Sequence, residues 1–263
     1  MPKAVMNGIR LYYEEHGDGE PIACIHGGGS SAVVWGDAVE ELARLGRVIS
    51  YDRRGCARSE RPDPYERTTV TEQADDAAAL LDALEAAPAV VMGRSYGGAV
   101  AVDLALRYPD KVRALVLLEG DALGLSPAGL EWTKDLAASM REVAARDGVD
   151  AVYEALIDEV MGQGVWDSFP EEIRRVLTQN APALLAELHY VDEPMPDAAA
   201  FATIEVPALL VAGSDSPPEQ RDMTERMAEA LPSARLVRIG GGHLIDPAGA
   251  EVLAFVGEVL EAG

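Results

Sequence analysis

The chain has 263 residues, 48% of them hydrophobic and 25% charged, which is the composition of an ordinary globular protein with a sizeable core. Its formal net charge of −23 disfavours contact with phosphate backbones and anionic lipid, so we predict neither a nucleic-acid partner nor a membrane partner. Two cysteines are too few for a disulfide framework, and the N-terminal residues show no signal-peptide pattern, which predicts a cytoplasmic location.

Short apolar strands alternate with helical patterns along most of the chain. The predicted strands are 9–15, 21–27, 47–52, 89–93, 112–120, 207–215 and 234–242. The predicted helices are 69–86, 97–107, 218–230 and 248–261. Thr69 and Glu72 stand at capping-box spacing, which marks the start of the first helix. Strands that are apolar throughout and separated by helices predict an α/β fold with a mostly parallel sheet covered on both faces.

The alternation stops between 121 and 206, where the sequence has helical patterns and no convincing strand. The helices predicted in this segment are 127–146, 149–161 and 171–186. We therefore predict a helical cap at 121–206 and a core made of 1–120 and 207–263. The large aromatic residues predicted to line a substrate pocket are Trp35 from the core and Trp132, Trp166 and Tyr190 from the cap.

The stretch VVMGRSYGGAVAVDLA at 90–105 places a serine between a predicted strand and a predicted helix. Gly93, Ser95 and Gly97 form the pattern G-x-S-x-G, and small residues are needed around it because the strand and the helix approach closely. The N-terminus of the helix also directs N–H groups toward developing negative charge. We predict that Ser95 is a catalytic nucleophile rather than a helix cap.

A serine nucleophile needs a base, and the base needs a group that orients it. Among the four histidines, His243 follows the last predicted strand and precedes the last helix. A loop in that position opens at the same edge of the sheet as Ser95, so His243 is the predicted base. His26 ends an earlier strand and is predicted to be a structural hydrogen-bonding residue.

An anionic tetrahedral intermediate also needs hydrogen-bond donors. The segment IHGGGSS at 25–31 follows a strand, and its glycines allow the backbone to approach a ligand closely. We predict an oxyanion hole formed by the N–H groups of Gly28 and of Tyr96, the residue directly after the nucleophile.

A series of segments resembles the α/β-hydrolase superfamily in content and order, over nearly the whole chain apart from the cap. These segments are HGGGSSAVVW, VISYDRRGCARSE, GRSYGG, ALVLLEGD, LLVAGSDSP and GGGHLIDP. The resemblance implies an eight-stranded, mostly parallel sheet, a helical cap between the sixth and seventh strands, and a Ser–acid–His triad. One departure is Ala57, where relatives often carry glycine, beside the unusual Cys56.

The acid of the triad is ambiguous. In most of the superfamily it follows the seventh strand as G-x-x-D, but here that turn carries Asp215 one residue early and Ser216 in the expected position. A one-residue shift at the end of a strand reverses the direction of a side chain, although a bulge could re-aim Asp215. Some branches carry the acid after the preceding strand, where this chain has Glu119. We favour Glu119 over Asp215, with Asp121 a distant third.

Together these residues predict a serine hydrolase that cleaves a small to medium, largely apolar ester, lactone or thioester through an acyl-enzyme. Carbon–carbon bond hydrolases and cofactor-free haloperoxidase-like perhydrolases of the same fold remain open as alternatives. A non-catalytic ligand-binding protein on the hydrolase fold is a rival from another class. The prediction includes a small-molecule substrate and neither a metal nor an organic cofactor. It leaves the oligomeric state open.

Overall fold

Eight strands form one sheet within residues 3–262, the part of the chain that this computed structural model describes. The strands are β1 (Lys3–Met6), β2 (Ile9–His16), β3 (Pro21–Ile25), β4 (Arg47–Asp52), β5 (Ala89–Arg94), β6 (Val112–Leu118), β7 (Ala208–Gly213) and β8 (Ala234–Ile239). Their order across the sheet is β1-β2-β4-β3-β5-β6-β7-β8. β2 pairs antiparallel with β1 and β4, and all other neighbours are parallel, which confirms the predicted sheet.

Helices cover both faces of the sheet, as predicted. They are α1 (Ala38–Leu42), α2 (Val70–Ala83), α3 (Tyr96–Arg107), α4 (Pro127–Asp147), α5 (Val152–Met161), α6 (Val165–Ser168), α7 (Glu171–Gln179), α8 (Ala181–Glu187), α9 (Ala198–Phe201), α10 (Pro218–Ala230) and α11 (Ala250–Glu261). The buried side chains of α1 and α11 pack on one face. Those of α2, α3 and α10 pack on the other. Strands buried on both faces explain the apolar runs that predicted them.

The segment between β6 and β7 is helical, and we refer to residues 121–206 as the cap. It contains α4 to α9. The helix predicted at 171–186 is broken at Asn180, which ends α7 and precedes α8. Pro182 lacks the N–H group that a continuous helix would use and lies in the first turn of the new helix α8, which begins at Ala181. The division of the chain into a core domain and a cap domain stays a prediction.

Two local features of the core follow from its sequence. The Thr69 side chain accepts a hydrogen bond from the Glu72 N–H (2.9 Å), so α2 begins with the cap that the spacing predicts. β1 was not predicted, because four residues at the edge of a sheet give too short a pattern. Among the helices of residues 3–262, none combines the length and apolar composition that crossing a bilayer requires.

Candidate active site

Ser95 occupies the corner between β5 and α3, with a left-handed backbone conformation (φ 49°) that non-glycine residues rarely adopt. The corner is tied to the neighbouring strand by backbone hydrogen bonds. The Ser95 N–H donates to the Leu118 carbonyl (3.2 Å), and the Asp121 N–H donates to the Ser95 carbonyl (3.1 Å). The backbone therefore holds Ser95 in a strained conformation at the carboxyl edge of the sheet.

The glycines around Ser95 are required by close backbone contacts. A Cβ atom on Gly93 would lie 2.5 Å from the Gly97 carbonyl oxygen, and one on Gly97 would lie 2.5 Å from the His26 carbonyl oxygen. A Cβ atom on Gly98 would overlap the Cα of Gly120. Real Cβ atoms do not approach backbone atoms so closely, so the strand and helix meet only because these positions have no side chain.

His243 lies in the loop after β8, and its ring is bound to Glu119 at the end of β6. The distance from His243 Nδ1 to Glu119 Oε2 is 2.6 Å. The other oxygen, Glu119 Oε1, accepts a hydrogen bond from the Gly213 N–H (2.7 Å). Burial favours a raised pKa for Glu119, but the hydrogen bond and charge of His243 and the Gly213 N–H bring the pKa below its ordinary value of 4.5. An ionised Glu119 accepts, so the Nδ1–H of His243 donates, and in a neutral imidazole with this tautomer Nε2 is the acceptor.

The structure separates the three carboxylates considered for contact with His243. Glu119 is completely buried and contacts the ring. Asp215 is exposed and accepts a hydrogen bond from the Ser214 hydroxyl (3.0 Å). Asp121 is buried and accepts the Tyr190 hydroxyl (2.9 Å), and burial raises its pKa despite that bond. Glu119 itself has φ 45°, a left-handed conformation. Its side chain therefore does not follow the alternation of side chains between the two faces of the sheet.

Arg94, directly before Ser95, anchors the loop that carries His243. Its Nη2 donates to the Ile245 carbonyl, and its Nη1 lies 3.5 Å from the His243 carbonyl oxygen. Burial lowers the pKa of Arg94 to about 10, although the charges of Glu119 and Asp246 raise it. Arg94 thus joins the two chain segments on which Ser95 and His243 lie.

The loop after β3 places Gly28 beside the same corner. His26 is fully buried, and its Nε2 accepts the Arg53 N–H (2.9 Å) while its Nδ1 lies 2.9 Å from the Gly27 carbonyl oxygen. Burial and the charge of Arg53 hold the pKa of His26 well below 6.5, so the ring is neutral and structural. Within residues 3–262 the Gly28 N–H has no protein acceptor, and Tyr96 is the first residue of α3, where N–H groups lack an intrahelical acceptor.

A cavity of about 480 Å³ brings these residues together between the sheet edge and the cap. Ser95, His243, Gly28 and Tyr96 all line it. Most of the other lining side chains are apolar and come from the cap, among them Trp132, Leu136, Leu156, Val160, Phe169 and Leu184. The arrangement is that of a small-molecule site with a few convergent polar groups on an apolar wall.

Two of the four aromatic residues predicted to line the pocket lie elsewhere. Trp132 and Tyr190 line the cavity. Trp35 is only 1% exposed and packs in the core on the α1 and α11 face, because the short turn Ala32–Trp35 directs its neighbours Val33 and Val34 to the cavity instead. Trp166 packs behind the wall, with its ring 6.3 Å from the ring of Phe169.

Sequence reasoning missed Arg53, Tyr153, Asn180 and Glu187, which hold the cap against the core. Glu187 lines the cavity and pairs with Arg53 (2.8 Å). A signal for it existed: like Glu119, Glu187 is a single acidic residue that ends an apolar run, here APALLAE. Buried carboxylates need partners, so such a residue predicts a buried contact even where the partner is unknown.

Comparison with known proteins agrees with this architecture. The model of a family described as the alpha/beta hydrolase family matches residues 22–255. A protein of Azorhizobium caulinodans named "Putative carbamate hydrolase RutD" is 31% identical over 270 residues, covering 98% of this chain and 99% of its own length. A thermophilic esterase from Thermogutta terrifontis has a TM-score of 0.79 at 28% identity, with 99% of this chain and 98% of that chain covered.

An enol-lactonase from Burkholderia xenovorans LB400 is also similar, with a TM-score of 0.77 at 25% identity and coverage of 99% of this chain and 98% of that chain. These relatives are hydrolases by name and match the chain almost from end to end. The family match likewise spans the corner at Ser95, the cap and the loop that carries His243. The chain therefore belongs to the alpha/beta hydrolase family.

Proposed function

We propose that this hydrolase cleaves a small to medium, largely apolar ester, lactone or thioester through an acyl-enzyme formed on Ser95. The observation that carries the proposal is the contact of His243 Nδ1 with Glu119 (2.6 Å) in a loop that shares a cavity with Ser95. A neutral imidazole whose Nδ1–H is held by a buried carboxylate presents Nε2 as a base, which is what a serine nucleophile needs.

In the proposed reaction His243 Nε2 takes the proton of the Ser95 hydroxyl while Oγ forms a bond to the substrate carbonyl carbon. The carbonyl electrons move to its oxygen, and the N–H groups of Gly28 and Tyr96 stabilise that anion. The imidazolium, stabilised by Glu119, then gives its proton to the leaving alcohol or thiol as the bond to carbon breaks. Water activated by the same histidine hydrolyses the acyl-enzyme and restores Ser95.

The cavity supports an apolar substrate. Most of the side chains that the cap contributes to its lining are aliphatic or aromatic. The two acidic ones, Asp121 and Glu187, are buried and bound by Tyr190 and Arg53. Val33 and Leu244 also line it and are 39% and 55% exposed, which places an apolar opening beside the histidine loop. The names of similar proteins, an esterase and an enol-lactonase, favour the same bond classes.

The test is hydrolysis of p-nitrophenyl esters of increasing acyl length, and of simple lactones and thioesters, by the unsubstituted chain and by Ser95→Ala. We expect loss of the nucleophile to lower kcat by about 10⁶-fold, as in other serine hydrolases. A fluorophosphonate should label the unsubstituted chain at Ser95, as read by intact and peptide mass spectrometry.

Ser214→Ala is the matched control, because the Ser214 side chain is exposed and its hydroxyl donates to Asp215. It should leave hydrolysis and labelling unchanged. Turnover that survives in Ser95→Ala would contradict the mechanism. Ligand binding without turnover and without labelling in the unsubstituted chain would favour the non-catalytic rival.

A further inference from the structure

The loop after β3 is bound from both sides through almost every peptide group. On the core side, Arg53 Nε donates to the His26 carbonyl (3.0 Å), and its Nη2 donates to the Gly27 carbonyl (2.8 Å). On the cap side, the Gly28 carbonyl is bound by Tyr153, the Gly29 N–H by Glu187 and the Ser30 carbonyl by Asn180. We call residues 26–30 the oxyanion loop, after the proposed role of Gly28.

Two of the cap residues hold opposite ends of one peptide unit. The Tyr153 hydroxyl donates to the Gly28 carbonyl (2.7 Å), and the Gly29 N–H donates to Glu187 Oε2 (2.7 Å). These two groups belong to the peptide between Gly28 and Gly29. The Gly28 N–H belongs to the preceding peptide, whose Gly27 carbonyl accepts Arg53 Nη2 (2.8 Å). Because the peptides on both sides of the Gly28 Cα are held, the φ and ψ angles that set the direction of the Gly28 N–H are restricted. Asn180 binds the Ser30 carbonyl, one residue further along (2.7 Å).

Two of the side chains that bind the oxyanion loop form a buried ion pair. Glu187 is 1% exposed, and Arg53, which pairs with it at 2.8 Å, is fully buried. Because so little of either ion is exposed, each depends mainly on the other and on the loop for its hydrogen bonds. Gly29 adopts φ 54°, and a Cβ atom there would lie 2.6 Å from the Cβ of Leu184 on α8. The loop and the cap helix are thus packed without space between them.

We infer that Tyr153 and Glu187 are positioning residues that aim the Gly28 N–H at the oxyanion, so that the oxyanion hole is complete only while the cap lies on the core. The inference rests on the proposed function. Both residues act through the peptide between Gly28 and Gly29, and neither takes part in bond making. The cap then contributes to the rate of the reaction as well as to the choice of substrate.

The test compares Tyr153→Phe and Glu187→Gln with the unsubstituted full-length chain. The readouts are kcat and KM for p-nitrophenyl butyrate, inhibition by butylboronic acid, and inhibition by 1-butanol. The boron atom of the boronic acid accepts the Ser95 oxygen and becomes a tetrahedral anion that needs the oxyanion donors, whereas the alcohol only fills the cavity. Tyr153→Phe removes one hydroxyl, and Glu187→Gln removes the charge that faces Arg53.

Loss of a whole oxyanion donor costs about 10²–10³ in kcat, so a displaced donor should cost about tenfold. We expect kcat to fall about tenfold and the boronic acid to bind about tenfold more weakly, with KM and inhibition by 1-butanol unchanged. Tyr108→Phe is the control, because it removes a similar hydroxyl bond, to Asp75 (2.7 Å), between α2 and the end of α3. It should change none of the four readouts.

The inference would be overturned by variants that keep both kcat and boronic acid affinity within about twofold of the unsubstituted chain. A rise in KM with unchanged kcat would also overturn it, because that result assigns the residues to substrate contact alone. If Glu187→Gln fails to fold because Arg53 is left buried without its counter-ion, Tyr153→Phe carries the test. An unsubstituted chain that neither hydrolyses the ester nor binds the boronic acid would reject the proposed function itself, and the inference with it.

Discussion

The floor of the site and the cap are held in place by different kinds of contact. The floor, residues 93–98 and 118–120, is fixed by strand pairing and by glycine backbones in direct contact with one another. The cap, residues 121–206, is fixed on the oxyanion loop by side chains that cross the boundary: Tyr153, Asn180 and Glu187. A backbone contact excludes almost every substitution, whereas a side-chain contact depends on one residue.

This difference separates chemistry from selectivity. The floor holds the corner at Ser95 and the carboxylate that binds His243, so in the proposed function its geometry sets which reaction is possible. The cap supplies most of the apolar wall of the cavity, so in the proposed function its side chains set which substrate fits. Tyr153 and Glu187 connect the two regions, because they belong to the cap and bind a loop of the core. The predictions below test this separation.

The largest effect is expected at the floor, from Glu119→Gln. The substitution removes the charge that holds Nδ1–H and stabilises the imidazolium, and equivalent changes in serine hydrolases lower kcat about 10⁴-fold. Asp215→Asn is the control and should keep kcat unchanged, because Asp215 is exposed and binds Ser214. Ester hydrolysis under saturating substrate measures both. If Asp215→Asn lost activity and Glu119→Gln kept it, Asp215 would be the acid of the triad and Glu119 would have no role in the mechanism.

A smaller effect, on stability, is expected from Gly98→Ala. The added methyl group would overlap Gly120, so α3 must move away from the end of β6. Overpacking of this kind costs about 1–3 kcal/mol, which corresponds to a Tm lower by about 2–6 °C for a chain of this size.

Gly257→Ala on α11 is the matched control for Gly98→Ala, because a Cβ atom there meets nothing within 4 Å. It should raise stability slightly, since alanine favours a helix more than glycine does. The Tm values of the two variants are compared by thermal unfolding, monitored by circular dichroism. Equal Tm values for the two variants would show that the floor tolerates an added side chain. The claim that backbone contacts in the floor exclude substitutions would then be wrong.

The smallest effect is expected in the cap, from Trp132→Phe. Trp132 lines the cavity, so a smaller ring should favour longer acyl chains. We expect the ratio of kcat/KM for an octanoate ester to that for a butyrate ester to rise about threefold to tenfold, as one or two methylene groups find room. Trp166→Phe should leave the ratio unchanged, because Trp166 lies behind the wall. A shift in both variants would mean that general loosening of the cap, rather than the cavity wall, sets the preference.

Most of the fold was predictable because its signals are local. Apolar strands, capping residues and a serine between glycines each occupy a dozen residues or fewer, and the alternation of strands and helices gives the parallel sheet. Errors arose where a side chain could turn either way. Trp35 and Trp132 look equally apolar in the sequence, but a short turn sends Trp35 into the core and α4 presents Trp132 to the cavity. The break at Asn180 was missed because the helical pattern continues across it.

The sequence by itself determined the sheet, the corner that carries Ser95, and the edge at which His243 emerges, since these follow from patterns within short stretches of chain. Only the tertiary structure decided which carboxylate reaches the histidine and how the cap is bound to the oxyanion loop. Glu119 and His243 are 124 residues apart, and Gly29 and Glu187 are 158 apart. The direction of a side chain at the end of a strand, and the partner it meets across such a separation, depend on how the whole chain packs.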